Sequence, residues 1–240
     1  MIPLRDTIPS SRRPVVTYAL IAVNVVVFLF ELSLGRALEP FIFQWGLVPA
    51  RFAMTDPLSW MAVLTSMFLH GGWAHVGGNL LYLWIFGDNV EDRMGHGRYL
   101  FFYVACGACA ALAQTMANPA STVPMVGASG AIAGVLGAYL LYYPHARVVT
   151  LVPIFFFIQL IEIPALFFLL IWFGMQLVNG AASLTSATAA TGGVAWWAHL
   201  GGFAGGFVLG LLLGYGRPKA IAPRRDGLWP RQPGGTPWGQ

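Results

Sequence analysis

The chain has 240 residues, of which 57% are hydrophobic and 9% charged, and its mean hydropathy is +0.68. Soluble domains carry about 25% charged residues, so this composition excludes a water-soluble globular protein and makes a bilayer the solvent. The net charge of +4 does not indicate nucleic acid, because the basic residues flank apolar runs instead of forming a stripe with aromatics.

Residues 1–14 place Arg5, Arg12 and Arg13 ahead of an apolar run, which imitates a signal peptide. The run is too long for a signal sequence and further spans follow, so it reads as the first transmembrane helix. A helix needs about 20 mostly apolar residues to cross the hydrocarbon. Six segments meet or approach that length: Val15–Leu34, Leu58–Gly87, Tyr99–Met116, Val126–Tyr143, Pro164–Ala182 and Val194–Tyr215. The loop from Gly35 to Pro57 carries Phe41, Phe43, Trp45 and Phe52 among few charges, which suits a folded loop lying partly in the interface. The second segment is longer than one span and begins with an interfacial stretch. The run Val148–Ile161 is short and ends at Glu162-Ile163-Pro164; it reads as an interfacial or partly buried connection ahead of the fifth helix. Residues 217–240 are rich in Pro, Gly and Arg and read as a disordered basic tail, able to touch anionic lipid heads. No repeat of solenoid period is present.

The charges test this assignment. With the N-terminus inside, the inside segments hold Arg5, Arg12, Arg13, Arg93, Arg98, Arg147, Arg217, Lys219, Arg224, Arg225 and Arg231, which is all but Arg36 and Arg51 of the 13 basic residues. Such asymmetry is what the positive-inside rule requires. The expectation is an all-α polytopic membrane protein of six transmembrane helices: a cytoplasmic segment at 1–14, a membrane domain at 15–216, and a cytoplasmic tail. Cys106 and Cys109 form a Cys-x-x-Cys spacing inside an apolar run. With no second pair they read as small packing residues, not as a redox or zinc site.

Polar side chains inside membrane segments are costly and therefore candidates for function. His96 and His145 fall in inside loops and read as solvated; His70, His75 and His199 adjoin apolar segments. Counting back from the inner helix ends at about 1.5 Å per residue puts Asn79 roughly 12 Å up, His75 roughly 18 Å, Ser129 roughly 21 Å and His199 roughly 24 Å. Four polar residues thus share one layer in the middle to outer part of the membrane. His75 and Asn79, at i and i+4, occupy one helix face; His70 lies off that face. No carboxylate accompanies the histidines and their spacing is wrong for zinc, so neither metal nor cofactor is expected.

A lone membrane serine is ordinarily bonded to a carbonyl one turn earlier. Ser129 differs in its setting, Gly127-Ala128-Ser129-Gly130. The flanking glycines permit close backbone approach, and a helix N-terminus there offers free N–H groups and the positive dipole end for an oxyanion. The soluble hydrolase elbow is not matched, since residue 131 is Ala. Gly130 and Gly134 on one helix, and Gly202, Gly206, Gly210 and Gly214 on another, let two backbones meet. His199, three residues before Gly202, shares that second face.

Together these motifs resemble the rhomboid family of intramembrane serine proteases. The match comprises Gly127-Ala128-Ser129-Gly130, His75-x-x-x-Asn79, Ala198-His199-Leu200-Gly201-Gly202, and Glu91-Asp92-Arg93, similar to the family's Glu-x-Arg feature. It spans roughly residues 15 to 215. The resemblance implies a Ser–His dyad, with Ser129 the nucleophile and His199 the general base and then acid. It also implies an oxyanion hole from the Ser129 backbone N–H with the side chains of His75 and Asn79, a supporting role for His70, and transmembrane proteins with small residues near the cut as substrates, in a bacterial cell (inner) membrane. Two departures stand out. Ala133 replaces an aromatic that stacks on the catalytic histidine in some members, and the first outer loop lacks a Trp-Arg pair. With no carboxylate at that depth, packing is left to orient His199. A catalytically silent relative that binds membrane helices is the alternative; a transporter would show internal repeats.

Overall fold

The computed structural model describes residues 1–154, 157–183 and 194–214; the expected tail, 217–240, lies outside them. The elements in order are β1 (Ile2–Asp6), α1 (Val15–Ser33), α2 (Leu38–Trp45), α3 (Pro57–Ser66), α4 (Trp73–Met94), α5 (His96–Ala117), α6 (Ser129–Tyr142), β2 (Arg147–Ile154), β3 (Phe157–Pro164), α7 (Ala165–Ser183) and α8 (Trp196–Leu213). Helices α1, α5, α7 and α8 are long and apolar enough to cross a membrane. Their outward faces leave Val26, Phe101, Val178 and Leu212 exposed, as lipid contact requires. The chain is mostly helical and is a multi-pass membrane protein.

The expected second span divides. Asp56 caps α3, its Oδ1 accepting from Leu58 N–H at 3.1 Å, and Pro57 takes the first helical position, where its missing N–H costs nothing. The chain breaks again at Gly71-Gly72, where Gly72 has φ +150°, a conformation that L side chains rarely adopt. Helix α4 then starts at Trp73. The loop between α1 and α3 is folded, as expected: α2 lies within it, Thr65 Oγ1–H donates to the Trp45 carbonyl at 2.6 Å, and Leu47 exchanges two backbone hydrogen bonds with Met125.

Helix α6 is the axis of the molecule, buried from Gly130 through Leu140. Glycine makes that burial possible. A Cβ on Gly202 would collide with the Gly130 carbonyl, one on Gly206 with Gly134, and one on Gly137 with the Phe203 carbonyl, so α6 and α8 touch backbone to backbone. Gly201 and Gly205 on the adjoining face of α8 pack against Ala113 and Cys109 of α5. Cys106 abuts Gly134 and both cysteines are free thiols.

The run after α6 departs from the all-helical expectation. Strands β2 and β3 pair antiparallel from Arg147↔Pro164 to Ile154↔Phe157, and β1 joins the other edge of β2 to give a sheet ordered β1-β2-β3. Val148, Val149, Thr150 and Val152 are β-branched and suit a pleated strand. Val148 and Thr150 are buried on the bundle, whereas Phe157, Ile158 and Leu160 stay exposed.

Residues 1–14 are stitched to the lower end of α4. Ser11 Oγ–H donates to Asp92, Asn89 Nδ2–H donates to Asp6 Oδ2 at 2.9 Å, and Tyr139 Oη–H donates to the same oxygen at 2.5 Å. Buried Glu91 accepts from the Val16 N–H at 2.9 Å and from the Thr17 N–H and Oγ1–H at 2.7 Å each. It thereby caps α1, whose own N-cap residue is Pro14 with no side chain to offer. His96 is exposed, as expected, but opens α5 in place of lying in a loop, and donates Nδ1–H to Glu91 Oε1 at 2.6 Å. One face of the bundle thus gathers the sheet, Glu91, the start of α1 and the end of α4.

Candidate active site

Helices α6 and α8 approach so closely that the first residue of α6 meets the first turn of α8. Ser129 Oγ lies 2.8 Å from His199 Nε2, the distance of a hydroxyl donating to an imidazole lone pair. His199 is 8% exposed, while Ser129 is half-buried at the helix N-terminus. The first-turn N–H groups of a helix have no intrahelical acceptor, so those of Ser129 and Gly130 face outward from the end of α6. A cavity of about 20 Å³ opens beside Ser129, lined in part by Ser66, Gly107, Gly127 and Ala198. It has room for one water or a methyl group.

The expected oxyanion donors converge on the loop before Ser129. Gly127 has φ +120°, and a Cβ there would stand 2.5 Å from His75 Nε2 and 3.6 Å from Asn79 Nδ2. The glycine is therefore required both by its backbone conformation and by the two side chains against it. Gly127 N–H donates to the Ser66 carbonyl at 2.8 Å, tying this loop to α3. The Gly71 N–H donates to His75 Nδ1 at 3.3 Å, which leaves the ring hydrogen on Nε2, the atom turned toward Gly127. Asn79 donates one Nδ2 hydrogen to His70 Nε2 at 3.0 Å, and His70 Nδ1–H donates to the Phe68 carbonyl at 3.2 Å. His70 is thus a bracket for Asn79. Its own backbone N–H donates to the buried carboxylate of Glu31 at 3.1 Å.

The family model for the rhomboid domain matches residues 57–216. The chain belongs to the rhomboid family. Members are generally intramembrane serine proteases. Among its relatives are rhomboid protease GluP of Bacillus subtilis (strain 168), 36% identical over 53% of this chain and 24% of that protein. Rhomboid protein 1, mitochondrial, of Saccharomyces cerevisiae is 30% identical over 56% of this chain and 38% of its own length. Rhomboid-like protein 11, chloroplastic, of Arabidopsis thaliana is 31% identical over 46% and 39%. The alignments span less than two fifths of the length of each of these relatives.

Within this rhomboid domain, three groups that surround His199 escaped sequence reasoning. Gln176 of α7 places Oε1 2.7 Å from His199 Nδ1. Trp172, one turn earlier on α7, lies against the same ring at 5.8 Å between centroids, and Trp196 meets it edge-on at 6.2 Å. Together they hold the ring on which Ala133 has no aromatic to stack, by a hydrogen bond as well as by packing. Gln114 of α5 also contributes, its Oε1 accepting from the Ala198 N–H at 3.2 Å and so capping α8 from outside. The depth count would have found Gln176: eleven residues above Ala165 at about 1.5 Å each is roughly 17 Å, inside the polar layer.

Proposed function

We propose that this rhomboid is an intramembrane serine endopeptidase that cleaves transmembrane or juxtamembrane segments of membrane proteins. The observation that carries this reading is the 2.8 Å contact between Ser129 Oγ and His199 Nε2, formed between two helices whose glycines allow nothing larger between them. Ser129 Oγ attacks the scissile carbonyl carbon as its proton passes to His199 Nε2. The tetrahedral oxyanion takes hydrogen bonds from the Ser129 N–H, His75 Nε2–H and the remaining Asn79 Nδ2–H. His199 returns the proton to the departing amine nitrogen, leaving an ester on Ser129. A water activated by the same imidazole then attacks the ester and frees the serine. The small cavity beside Ser129 agrees with small residues near the cut.

In this reading α1, α4, α5, α6, α7 and α8 are the six spans of a membrane domain at 15–216, and residues 1–14, the sheet and the tail at 217–240 lie on the cytoplasmic side. Two observations support it. The described basic residues Arg5, Arg12, Arg13, Arg93, Arg98 and Arg147 belong to the sheet end, with Arg36 and Arg51 in the opposite loop. Helix α6, with 14 residues, is about 21 Å long against a hydrocarbon thickness of about 30 Å, so its first residue starts below the outer surface. A bacterial inner membrane is the setting this topology suits.

The test is labelling of purified protein with a fluorophosphonate, with cleavage of a reporter transmembrane substrate measured alongside. Labelling at Ser129, lost together with cleavage in Ser129→Ala and His199→Ala, is the expected result. Folded protein that neither labels nor cleaves would turn the reading toward a silent helix-binding relative.

A further inference from the structure

We propose that Gln176 is a positioning residue that selects the reactive tautomer of His199, making the working unit a neutral relay from Gln176 through His199 to Ser129. The proposal rests on the reading of Ser129 and His199 as a dyad, and adds to it a group from α7. A neutral imidazole has one N–H and one lone pair. It can take the serine proton at Nε2 only if its hydrogen is on Nδ1. Which nitrogen carries the hydrogen is decided by the bond the other makes. Gln176 Oε1, an amide oxygen that can only accept, lies 2.7 Å from Nδ1, so it holds the hydrogen there and leaves the lone pair facing Ser129.

The setting makes that selection strong. Gln176 is 6% exposed and His199 8%, so neither exchanges its partner for water, and breaking the bond leaves a buried polar group unsatisfied. The amide orientation matters as much as the distance. With the amide nitrogen turned toward Nδ1, the imidazole would carry its hydrogen on Nε2 and point it at Ser129, which would make the pair inert. The choice of Gln also follows from the solvent. A carboxylate at this depth is expensive, whereas an amide fixes the tautomer without introducing a buried charge. Trp172, on the same helix, sets the plane of the ring while Gln176 sets its hydrogen. The base is therefore assembled from two helices: α8 carries the imidazole and α7 tells it which nitrogen to use.

The experiment uses the full chain in detergent. Gln176→Met keeps the shape and removes the acceptor; Gln176→Glu keeps an acceptor. Expected for Gln176→Met is a kcat about 10- to 100-fold lower, with KM within about twofold and fluorophosphonate labelling of Ser129 slowed by the same factor as kcat. Gln176→Glu is expected to recover most of the loss. Nitrogen-15 NMR of labelled histidine, assigned with His199→Ala, reads the tautomer in the wild type directly. The expected signature is hydrogen on Nδ1, lost in Gln176→Met. A wild-type spectrum with hydrogen on Nε2 overturns the proposal, as does a Gln176→Met protein that retains kcat. So does a variant in which kcat falls only in step with thermal stability. Failure of the dyad reading looks different, since no labelling at Ser129 would then occur even in wild type.

Discussion

The end of the bundle that holds Ser129 and the end that holds Glu91 solve opposite problems with different chemistry. Around Ser129 the hydrogen bonds run between neutral groups: Gln176 to His199, Asn79 to His70, and the serine to the imidazole. Around Glu91 they run to carboxylates: Glu91 takes three donors from α1 and one from His96, Asp92 holds Ser11, and Asp6 holds Asn89 and Tyr139. A charge is costly in lipid, and in the proposed topology the Ser129 end is the one set within the membrane. Glu31 is the exception, a buried carboxylate on the site side, and it is spent on a single backbone N–H, that of His70. The difference teaches that the site end depends on geometry set by glycine, while the other end depends on charge-assisted bonds that anchor the chain.

The largest expected effect in that comparison is at Asn79. Asn79→Ala removes one proposed oxyanion donor and leaves His70 Nε2 without its partner. Turnover should fall about 10²- to 10³-fold, with about 1–3 kcal/mol of stability lost for the unpaired buried His70 Nε2. The measurement is kcat on the reporter substrate, and a rate within a few-fold of wild type would remove Asn79 from the oxyanion hole.

How much of this could be read beforehand depends on the kind of signal. The glycine series at 202, 206, 210 and 214 is a periodic feature, and the shared depth expected for His75, Asn79, Ser129 and His199 follows from counting along helices. Periodicity survives in a sequence, so the helices and the convergence on Ser129 were legible. Gln176 and Glu31 are single polar residues in apolar helices, with nothing in their spacing to name a partner. His70 to Glu31 and Gln176 to His199 are contacts across 39 and 23 residues, decided only by how helices pack. The pairing of β2 with β3 was missed for another reason. Val148–Ile161 has no alternation, because one face packs on the bundle while the other is also apolar, and an unbroken apolar run does not separate strand from buried helix.

Next in size is Glu91. Glu91→Ala leaves the first N–H groups of α1 uncapped and removes the partner of His96. A loss of about 1–3 kcal/mol is expected, seen as a lower thermal midpoint in detergent. The rate per folded molecule should hold, because the change is at the end away from Ser129. A catalytic loss larger than the folded fraction explains would show that the two ends are coupled.

The smallest effect tests the charge on the anchored end by pH. Burial first, then the neighbouring Asp88 carboxylate, pushes Asp6 up from the usual 3.8 to about 7, against the opposing hydrogen bond from Tyr139. The folded protein therefore holds the Asp6 proton more tightly than the unfolded chain does. Its contribution to stability is complete below about pH 4 and is lost as pH rises through 7. Asp6→Asn keeps an acceptor oxygen for Asn89 and Tyr139 but cannot ionise. Comparing the thermal midpoints of the two proteins from pH 4 to 8 cancels the titrating groups that do not interact with Asp6, which leaves its neighbour Asp88 as the one to follow beside it. The wild type should lose ground to Asp6→Asn steadily between pH 4 and 7 and then run parallel to it. If the two curves stay parallel throughout, Asp6 is solvated, β1 is not held to α4 and α6 by that carboxyl, and the anchoring of this end falls to Glu91 and Asp92. A neutral site and a titrating anchor would then no longer be the right contrast, because the anchor too would be indifferent to pH in this range.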